Sequence, residues 1–257
     1  MDKELRQLKK LFNTDDVRVE KCGIGKVNAA LGAQRMINEF HPDVIISSGC
    51  AGGNGDDIQV QDVVVSTELC YHDVYCGTAI DNTTVYGQVQ GLPARYPADP
   101  FLLRKSLEMN ARACSLCLQR TESVEFAAAI PSAATNSAEG MAAANSTPYT
   151  LHSSLHYGLI VTGDWFVDSK EKMREIVSHF PEAKAVDMES AAIAQTCYVN
   201  KVPFISFRVI SDIPLCDTDA SQYHDFWERI ADNSFQVTKT FVEKVKSSEI
   251  KFVKGEG

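Results

Sequence analysis

The sequence predicts a three-layer α/β/α protein in which helices cover both faces of a largely parallel β-sheet. Apolar, strand-like runs alternate with helix-like segments along most of the 257 residues, a pattern typical of parallel sheets with helical crossovers. Several of these strands end in glycine-rich or acidic turns, where α/β proteins bind ligands. The apolar fraction of 44% and the charged fraction of 23% are ordinary for a globular protein. We therefore expect a single domain over residues 1–257.

Hydrophobic periodicity and turn residues predict the elements of the first half of the chain. Apolar residues recur at helical spacing near the amino terminus, and Pro42 closes a second helix. We expect the glycine-rich run 49–53 to break the first buried strand. The expected elements are a helix over 1–12, a turn at Gly23–Lys26, a helix over 27–40, a strand over 43–48, one or two strands over 58–69 and a helix over 100–110.

The second half alternates more regularly between strands and helices. Ser169 is a suitable N-cap for one of the helices, because its hydroxyl can accept from a free backbone N–H. The expected elements are a strand over 159–162, a helix from Ser169 to about 180, a strand over 185–187, a helix over 190–199, a strand over 204–210 and a long terminal helix over 222–246.

An insertion near 113–155 separates the two halves. Residues 127–147 are rich in Ala, Ser, Asn and Thr, and such a segment buries too little apolar surface to offset its ordering entropy. We expect a disordered surface loop within the single domain. The insertion also carries two pairs of potential zinc ligands, Cys114 with Cys117 and His152 with His156. The gap between the pairs far exceeds the usual zinc-site spacing, so we expect no metal site there.

Charge and composition exclude some classes of partner. The net charge of -9 argues against nucleic acids and anionic membranes, although it permits a nucleoside, which carries no phosphate. The sequence shows no cleavable signal and no apolar run long enough to span a bilayer. The eight cysteines are scattered, which favours reduced thiols and a cytoplasmic protein.

Four predicted strands end in polar or glycine-rich segments. Because the carboxyl ends of parallel strands share one edge of a sheet, we expect these segments to converge on one crevice. In one of them Asp187 and Glu189 flank Met188, a pattern suited to binding sugar hydroxyls while covering the apolar face of the ring. The segments are Gly49–Gly52, Gly163–Phe166, Val186–Glu189 and Ile210–Asp212.

Six motifs carry a resemblance to a known family. They are GIGKVNAALGA at 23–33, PDVIISSGCAGG at 42–53, YHD at 71–73, GLIVTGDWF at 158–166, AVDMESAAIA at 185–194 and VPFISFRVISDIP at 202–214. In order and spacing they resemble the methylthioadenosine/S-adenosylhomocysteine nucleosidases of the nucleoside phosphorylase/hydrolase superfamily. The resemblance covers most of the chain outside 113–155.

Besides the insertion near 113–155, the chain departs from the family pattern in four places. It lacks the usual first strand and the usual hairpin between Glu20 and Cys22, Asp187 stands where Glu is common, and Cys50 stands where Ser is common. A buried strand of six apolar residues contributes roughly 10 kcal/mol, close to the whole stability of a typical domain, about 5–15 kcal/mol. Either another segment substitutes for that strand, or the protein is weakly folded.

The resemblance implies a central mixed, largely parallel sheet and hydrolysis of an N-glycosidic bond without a metal or a cofactor. Asp212 resembles the acid that donates a proton toward adenine N7. Glu189 resembles the carboxylate that contacts the ribose and helps to place the attacking water, and Glu4 the acid that activates this water. Family members are usually homodimers, and the helix over 27–40 could supply the interface.

The resemblance also implies a set of binding residues. Met188 would lie under the ribose, Phe166 would stack on adenine, and the Val167 backbone would read the edge of the base. Asp187 would retain a ribose contact with a shorter arm, while Arg208 and Ser211 would orient Asp212. The remaining expected contacts are Tyr223 or Phe226 at the 5'-thio group, and Ala51, Gly52 and Ile24 along the wall of the site.

Three alternatives remain open at the level of sequence. A purine nucleoside phosphorylase would need an arginine cluster in the cleft, and Arg208 is the one arginine in the matched turns. A hydrolase for another purine nucleoside, such as futalosine, would keep the same acids. A non-catalytic relative could keep the motifs while lacking the first strand.

Overall fold

The computed structural model describes residues 2–12, 14–74, 84–109, 154–216, 221–230 and 235–248. The expected insertion near 113–155 lies almost entirely outside these residues. The described elements, in chain order, are α1 (Asp2–Leu11), α2 (Lys26–Phe40), β1 (Ile45–Gly53), β2 (Val63–Tyr71), β3 (Tyr96–Pro97), α3 (100–109), β4 (Leu155–Thr162), α4 (Lys170–His179), β5 (Ala183–Asp187), α5 (Ser190–Val199), β6 (Phe204–Asp212), α6 (Ser221–Asp225), a π-helical turn (Phe226–Ile230) and α7 (Gln236–Lys246).

The sheet is mixed and largely parallel, as expected, and it also closes on itself. Its strand order is β3-β2-β4-β5-β1-β6, with an additional pairing of β2 with β6. The β1–β6, β2–β4 and β4–β5 ladders are parallel. The shorter β1–β5, β2–β3 and β2–β6 ladders are antiparallel. The β2–β6 pairing turns the open sheet into a ring, which the sequence did not predict.

Alternating side chains of the strands supply two apolar layers, one on each face of the sheet. Val64 belongs to a cluster with the small residues of α2 and α5. Its neighbours Val63 and Val65 face a second cluster, which contains buried residues of α3 and α7. Met173 and Ile176 anchor α4 in a third cluster against β4 and β5. Successive strand residues point to opposite faces of the sheet, and helices cover each face, α2 and α5 on one and α3 and α7 on the other. The expected three-layer arrangement is therefore confirmed.

The glycine-rich run after the first buried strand continues that strand. β1 pairs with β6 in parallel from Ile45 to Gly52, so the expected break at 49–53 is wrong. These glycines provide space for close contacts within the sheet. A Cβ on Gly49 would lie 3.2 Å from Arg208 Nη1, and a Cβ on Gly53 would lie 2.7 Å from Ile213 Cδ1.

The expected continuous helix over 222–246 is also wrong. The π-helical turn follows α6, and Phe235 is a non-helical N-cap of α7 with φ -100° and ψ 8°. Phe226 and Phe235 are nine positions apart, so a continuous α-helix would place them on roughly opposite faces, at about 100° per residue. Both side chains are buried in the same apolar cluster with Phe241. A regular helix could not bury all three rings there.

Most of the other boundaries agree with the sequence patterns to within a few residues, but β3 was not expected and β2 begins at Val63 rather than at residue 58. Ser169 caps α4 and accepts from the backbone N–H of Lys172 at 3.4 Å, and α5 spans Ser190–Val199 as expected. Within the described ranges, each helix is too short or too polar to span a lipid bilayer.

Candidate active site

The four polar segments converge on one cavity, although not for the expected reason. β4 runs parallel to β5, and β1 runs parallel to β6, but β5 and β1 are antiparallel. The expectation that all four segments share one sheet edge is therefore wrong. They meet where β1 and β5 pair, at Gly52 opposite Val186. The cavity there has a volume of about 230 Å³ and is also lined by α1 and by residues 19–24.

The structure brings nearly all of the expected site residues into this cavity. Those that line it are Glu4, Ile24, Ala51, Gly52, Phe166, Val167, Asp187, Met188, Glu189, Arg208, Ser211, Asp212 and Tyr223. Phe226 does not, because its side chain is completely buried in the core beneath the C-terminal helices. Of the two candidates for the 5'-thio pocket, Tyr223 is the one at the cavity, with its ring 5.4 Å from that of Phe166.

Asp212 lies at the end of β6 and is oriented by its neighbour. The Ser211 hydroxyl donates to Asp212 Oδ1 at 2.6 Å, and the same hydroxyl oxygen is 3.3 Å from the carbonyl oxygen of Ala51. Ser211 is buried. The hydrogen bond from Ser211 to Asp212 supports the expectation that Ser211 orients this carboxyl group.

Arg208 contacts a different carboxylate from the one expected. Its Nε donates to Asp187 Oδ2 at 2.6 Å, and its Nη2 donates to the Ser47 hydroxyl at 2.9 Å. The sequence assigned Arg208 to the orientation of Asp212, but the guanidinium is held on the Asp187 side of the cavity. Charge attraction explains the pairing, because a buried guanidinium requires an ionised partner.

Asp187 is satisfied within the protein, and this does not support the expected ribose contact. Besides the ion pair with Arg208, its Oδ1 accepts from the Thr162 hydroxyl at 2.6 Å. Asp187 Oδ1 also accepts, at 3.3 Å, from the backbone N–H of Ser190, the first residue of α5. The side chain is 1% exposed. The shorter arm of Asp thus serves to anchor Arg208 and α5.

Glu189 lies at the start of α5 and faces the N-terminus of α2. Its Oε1 accepts from the backbone N–H of Gly25 at 3.0 Å. Burial raises the pKa of Glu189 above its ordinary value, and the nearby charge of Asp187 raises it further. Arg208 and the Gly25 N–H act in the opposite direction because they stabilise the charged form.

Glu4 reaches the cavity from the first turn of α1. Its Oε1 accepts from the backbone N–H of Cys50 at 3.2 Å. Glu4 is thus anchored on β1, and its carboxyl group lines the same cavity as those of Glu189 and Asp212.

Two cysteines also line the cavity, Cys22 and Cys50. Burial raises the pKa of Cys50 to about 12 and also raises the pKa of Cys22. Both thiols are therefore protonated near neutral pH and act as small packing groups.

Metal ligands are not assembled at this cavity or elsewhere in the part of the chain that the structure describes. No group of three or more His, Cys, Asp or Glu side chains there could hold a metal ion. Of the two zinc-ligand pairs considered from the sequence, Cys114, Cys117 and His152 lie outside the described residues. His156 has its Nε2 3.0 Å from Asp62 Oδ2.

The sequence patterns did not identify several residues that shape the site. Gly25 was interpreted as a turn residue, but its backbone also binds Glu189. Its φ of +85° explains why glycine is needed there. Leu5, Leu8 and Val19 line the cavity. Helical periodicity predicts Leu5 and Leu8 only as part of the apolar face of the first helix, because their place at the cavity depends on partners outside that helix.

Comparisons with known proteins agree with this geometry. A family model described as the phosphorylase superfamily matches residues 5–243. A 5'-methylthioadenosine/S-adenosylhomocysteine nucleosidase of an Exiguobacterium species is 36% identical over 233 residues, which are 90% of this chain and 82% of the relative. The corresponding enzyme of Staphylococcus epidermidis is 33% identical, covering 91% of this chain and 84% of its own length.

Solved structures show the same relationship. The chain is similar to the nucleosidase of Neisseria meningitidis in complex with methylthio-immucillin-A, with a TM-score of 0.70, 32% identity and 95% of both chains covered. It is also similar to the nucleosidase of Colwellia psychrerythraea in complex with adenine, with a TM-score of 0.71 and 27% identity. That match covers 95% of this chain and 92% of the other.

Proposed function

Because this chain belongs to the 5'-methylthioadenosine/S-adenosylhomocysteine nucleosidase family of the phosphorylase superfamily, we propose that it hydrolyses the N-glycosidic bond of these nucleosides. The products are adenine and a 5-thioribose derivative. The observation that carries the proposal is the placement of Glu4, Glu189 and Asp212 around one cavity with Phe166 and Met188. Such a cavity offers acids for proton transfer and an apolar surface for a purine riboside.

Asp212 is the proton donor in this mechanism. Cleavage leaves positive charge on the sugar and negative charge on the departing purine, so protonation of adenine N7 stabilises the leaving group. The Ser211 hydroxyl at 2.6 Å fixes the carboxyl group of Asp212 in one orientation. Glycosidases divide acid and base roles between two carboxyl groups in the same way.

Glu189 and Glu4 act on the sugar and on water. Glu189 lies on the side of the cavity formed by α5 and Gly25, where it contacts ribose hydroxyls and places the nucleophile. Glu4 approaches from α1, across β1, and accepts the proton of the attacking water. Each proton-transfer role contributes on the order of 10²–10⁴ in rate.

The side chains around these acids bind the substrate. Phe166 is half-exposed at the cavity, so its ring can stack on adenine while the Val167 backbone reads the edge of the base. Met188 covers the apolar face of the ribose. Tyr223, with its ring against that of Phe166, lines the 5'-thio end of the site.

Water rather than phosphate is the nucleophile in this proposal. A phosphorylase would hold the phosphate dianion with free arginines. Arg208, the one arginine at the cavity among the described residues, donates to Asp187 and Ser47 instead. Its charge is therefore already neutralised, which disfavours a phosphate site.

The test measures adenine release from methylthioadenosine and S-adenosylhomocysteine, with and without inorganic phosphate, and with Asp212→Asn as the inactive control. We expect release that does not depend on phosphate. Strict phosphate dependence would identify a phosphorylase, and release from futalosine alone would identify a different hydrolase. No release from any of these nucleosides, together with a thermal transition that adenine does not shift, would identify a non-catalytic relative.

We also propose that the protein is a homodimer. Ile24, just before α2, and Val27 and Leu31, in its first two turns, are more than half exposed, at 55%, 69% and 65%. Positions 27 and 31 lie one turn apart on the same helix face, and exposed apolar patches of this kind mark association sites. Light scattering should give the mass of a dimer for the wild type and a smaller mass for Leu31→Glu.

Two further parts of the proposal concern the whole chain. We propose a single domain, since β2 pairs with β4 and β6, which lie on the far side of the insertion. We place the protein in the cytoplasm, since the cysteines among the described residues are free thiols. Limited proteolysis within 113–155 should leave the two halves associated and cooperatively folded.

A further inference from the structure

A partly buried ion pair near the cavity has no role in the proposed chemistry. Lys26 Nζ lies 2.7 Å from Asp73 Oδ1 and 2.6 Å from Asp73 Oδ2. The Asp73 side chain is 9% exposed and that of Lys26 is 23% exposed. Asp73 follows β2, whereas Lys26 opens α2, so the pair joins elements that are distant in the sequence.

The same carboxylate also holds the segment that carries Phe166. Asp73 Oδ2 accepts from the backbone N–H of Asp164 at 2.8 Å. Asp164 in turn accepts from the backbone N–H of Lys26 through its Oδ1, also at 2.8 Å. Asp73, Asp164 and Lys26 thus form a closed set of hydrogen bonds, which we call the Asp73 clamp. It connects the turn after β4 to the N-terminus of α2.

Each side of the Asp73 clamp leads directly to a proposed substrate-binding group. Phe166 lies two residues after Asp164. On the other side, Gly25 precedes Lys26 and donates its backbone N–H to Glu189 Oε1 at 3.0 Å. The clamp therefore fixes the distance between the surface for the base and the carboxylate for the ribose.

Packing next to the clamp restricts the same segment. The His72 ring lies against the backbone of Gly163, where a Cβ would come within 2.5 Å of Nε2. The ring of Trp165 meets His72 edge-on at 5.1 Å. His72 and Asp73 are adjacent in the chain just after β2. His72 restricts segment 163–167 by packing against Gly163 and Trp165, and Asp73 restricts it by accepting the Asp164 N–H.

We propose that Asp73 is a positioning residue that keeps the base-binding segment 163–167 in register with Glu189. The inference rests on the proposed nucleosidase function. Asp73 is not among the residues that line the cavity, so it acts through Asp164 and Lys26. An error of about 1 Å in such an alignment can reduce turnover by roughly 10²-fold.

The test compares Asp73→Asn with the matched control Asp57→Asn. Asparagine preserves the size of the side chain but loses the charge that pairs with Lys26, and it replaces one of the two oxygens that Lys26 Nζ contacts with an NH₂ group. Asp57 also pairs with a lysine, Lys184, at 2.9 Å, but neither of these two residues lines the cavity. We expect Asp73→Asn to lower kcat and raise KM, with kcat/KM reduced about 10- to 100-fold. Asp57→Asn should leave both constants unchanged.

Hydrogen exchange in the ligand-free protein separates this inference from the proposed function. In Asp73→Asn we expect faster exchange at the backbone amides of Lys26 and Asp164, with no change in α4. Exchange at wild-type rates, or kinetic constants equal to those of Asp57→Asn, would overturn the role of Asp73. Faster exchange in a protein whose wild type releases no adenine would refute the nucleosidase proposal while leaving the clamp itself intact.

Discussion

Arg208 Nε lies 2.6 Å from Asp187 Oδ2, and the two side chains are only 3% and 1% exposed. This pair joins β6 to the end of β5 at the wall of the cavity. Asp187 thereby neutralises the charge of the Arg208 guanidinium, in agreement with the proposal that the cavity binds no phosphate. Asp187 in turn caps α5 and stands two residues before Glu189, so the pair also fixes the backbone that presents Glu189.

Removal of Arg208 should destabilise the fold strongly. In Arg208→Met the Asp187 carboxylate stays buried without its charged partner, which costs about 3–5 kcal/mol. Urea unfolding at a constant m-value should show this loss. Arg174→Met is the matched control, because its ion pair with Glu171 is exposed and such pairs contribute about 0–1 kcal/mol. Equal midpoints for the two variants would contradict a structural role for the buried pair.

Asp212→Asn should remove activity without affecting the fold. Asparagine can still accept from the Ser211 hydroxyl, but it has no acidic proton for adenine N7. We expect turnover to fall by about 10²–10⁴-fold, with an unchanged melting temperature and retained binding of adenine. A fully active variant would show that the proton donor has been assigned incorrectly.

Glu189 should make the stability of the protein depend on pH in a defined direction. Burial and Asp187 raise its folded-state pKa above 4.5, so the folded state binds more protons than the unfolded state. Its contribution is therefore fully present below about pH 4.5 and is lost as the pH rises through the folded-state pKa. Glu189→Gln, which can still accept from Gly25, lacks this titration. The difference in melting temperature, variant minus wild type, should become more positive between pH 4.5 and 8. A difference that is constant with pH would contradict the raised pKa.

Cys50 should be unreactive despite its place at the cavity. With a pKa of about 12, the thiolate is roughly 10⁻⁴ of the thiol at pH 8, and the thiolate is the nucleophile. Peptide mapping after brief iodoacetamide treatment should find Cys216, which is exposed, alkylated well before Cys50. Comparable labelling of both would mean that Cys50 is ionised.

Cys50→Ser should keep most of the activity, because the residue contributes its backbone N–H to Glu4.

Local patterns predicted most of the helices and strands and two of the acids that line the cavity. Hydrophobic periodicity located α1, α2, α4 and α5, because each buries one face at helical spacing. Motifs after strand ends identified Glu189, Asp212 and their neighbours, since those residues are close together in the sequence. Patterns failed at the glycines of β1 and at Phe226, because the space around a backbone and the face on which a ring is buried depend on partners far along the chain.

The order of elements, the acids after the strands and the motifs that resemble a nucleosidase are properties of short stretches of sequence, and they can be inferred without coordinates. Tertiary structure alone decided which of those acids pair with which cations. Arg208 donates to Asp187, the backbone N–H of Gly25 donates to Glu189, and Asp73 accepts from Lys26 and from the backbone N–H of Asp164. Such choices depend on distances between segments that closure of the sheet brings together, and no local pattern encodes those distances.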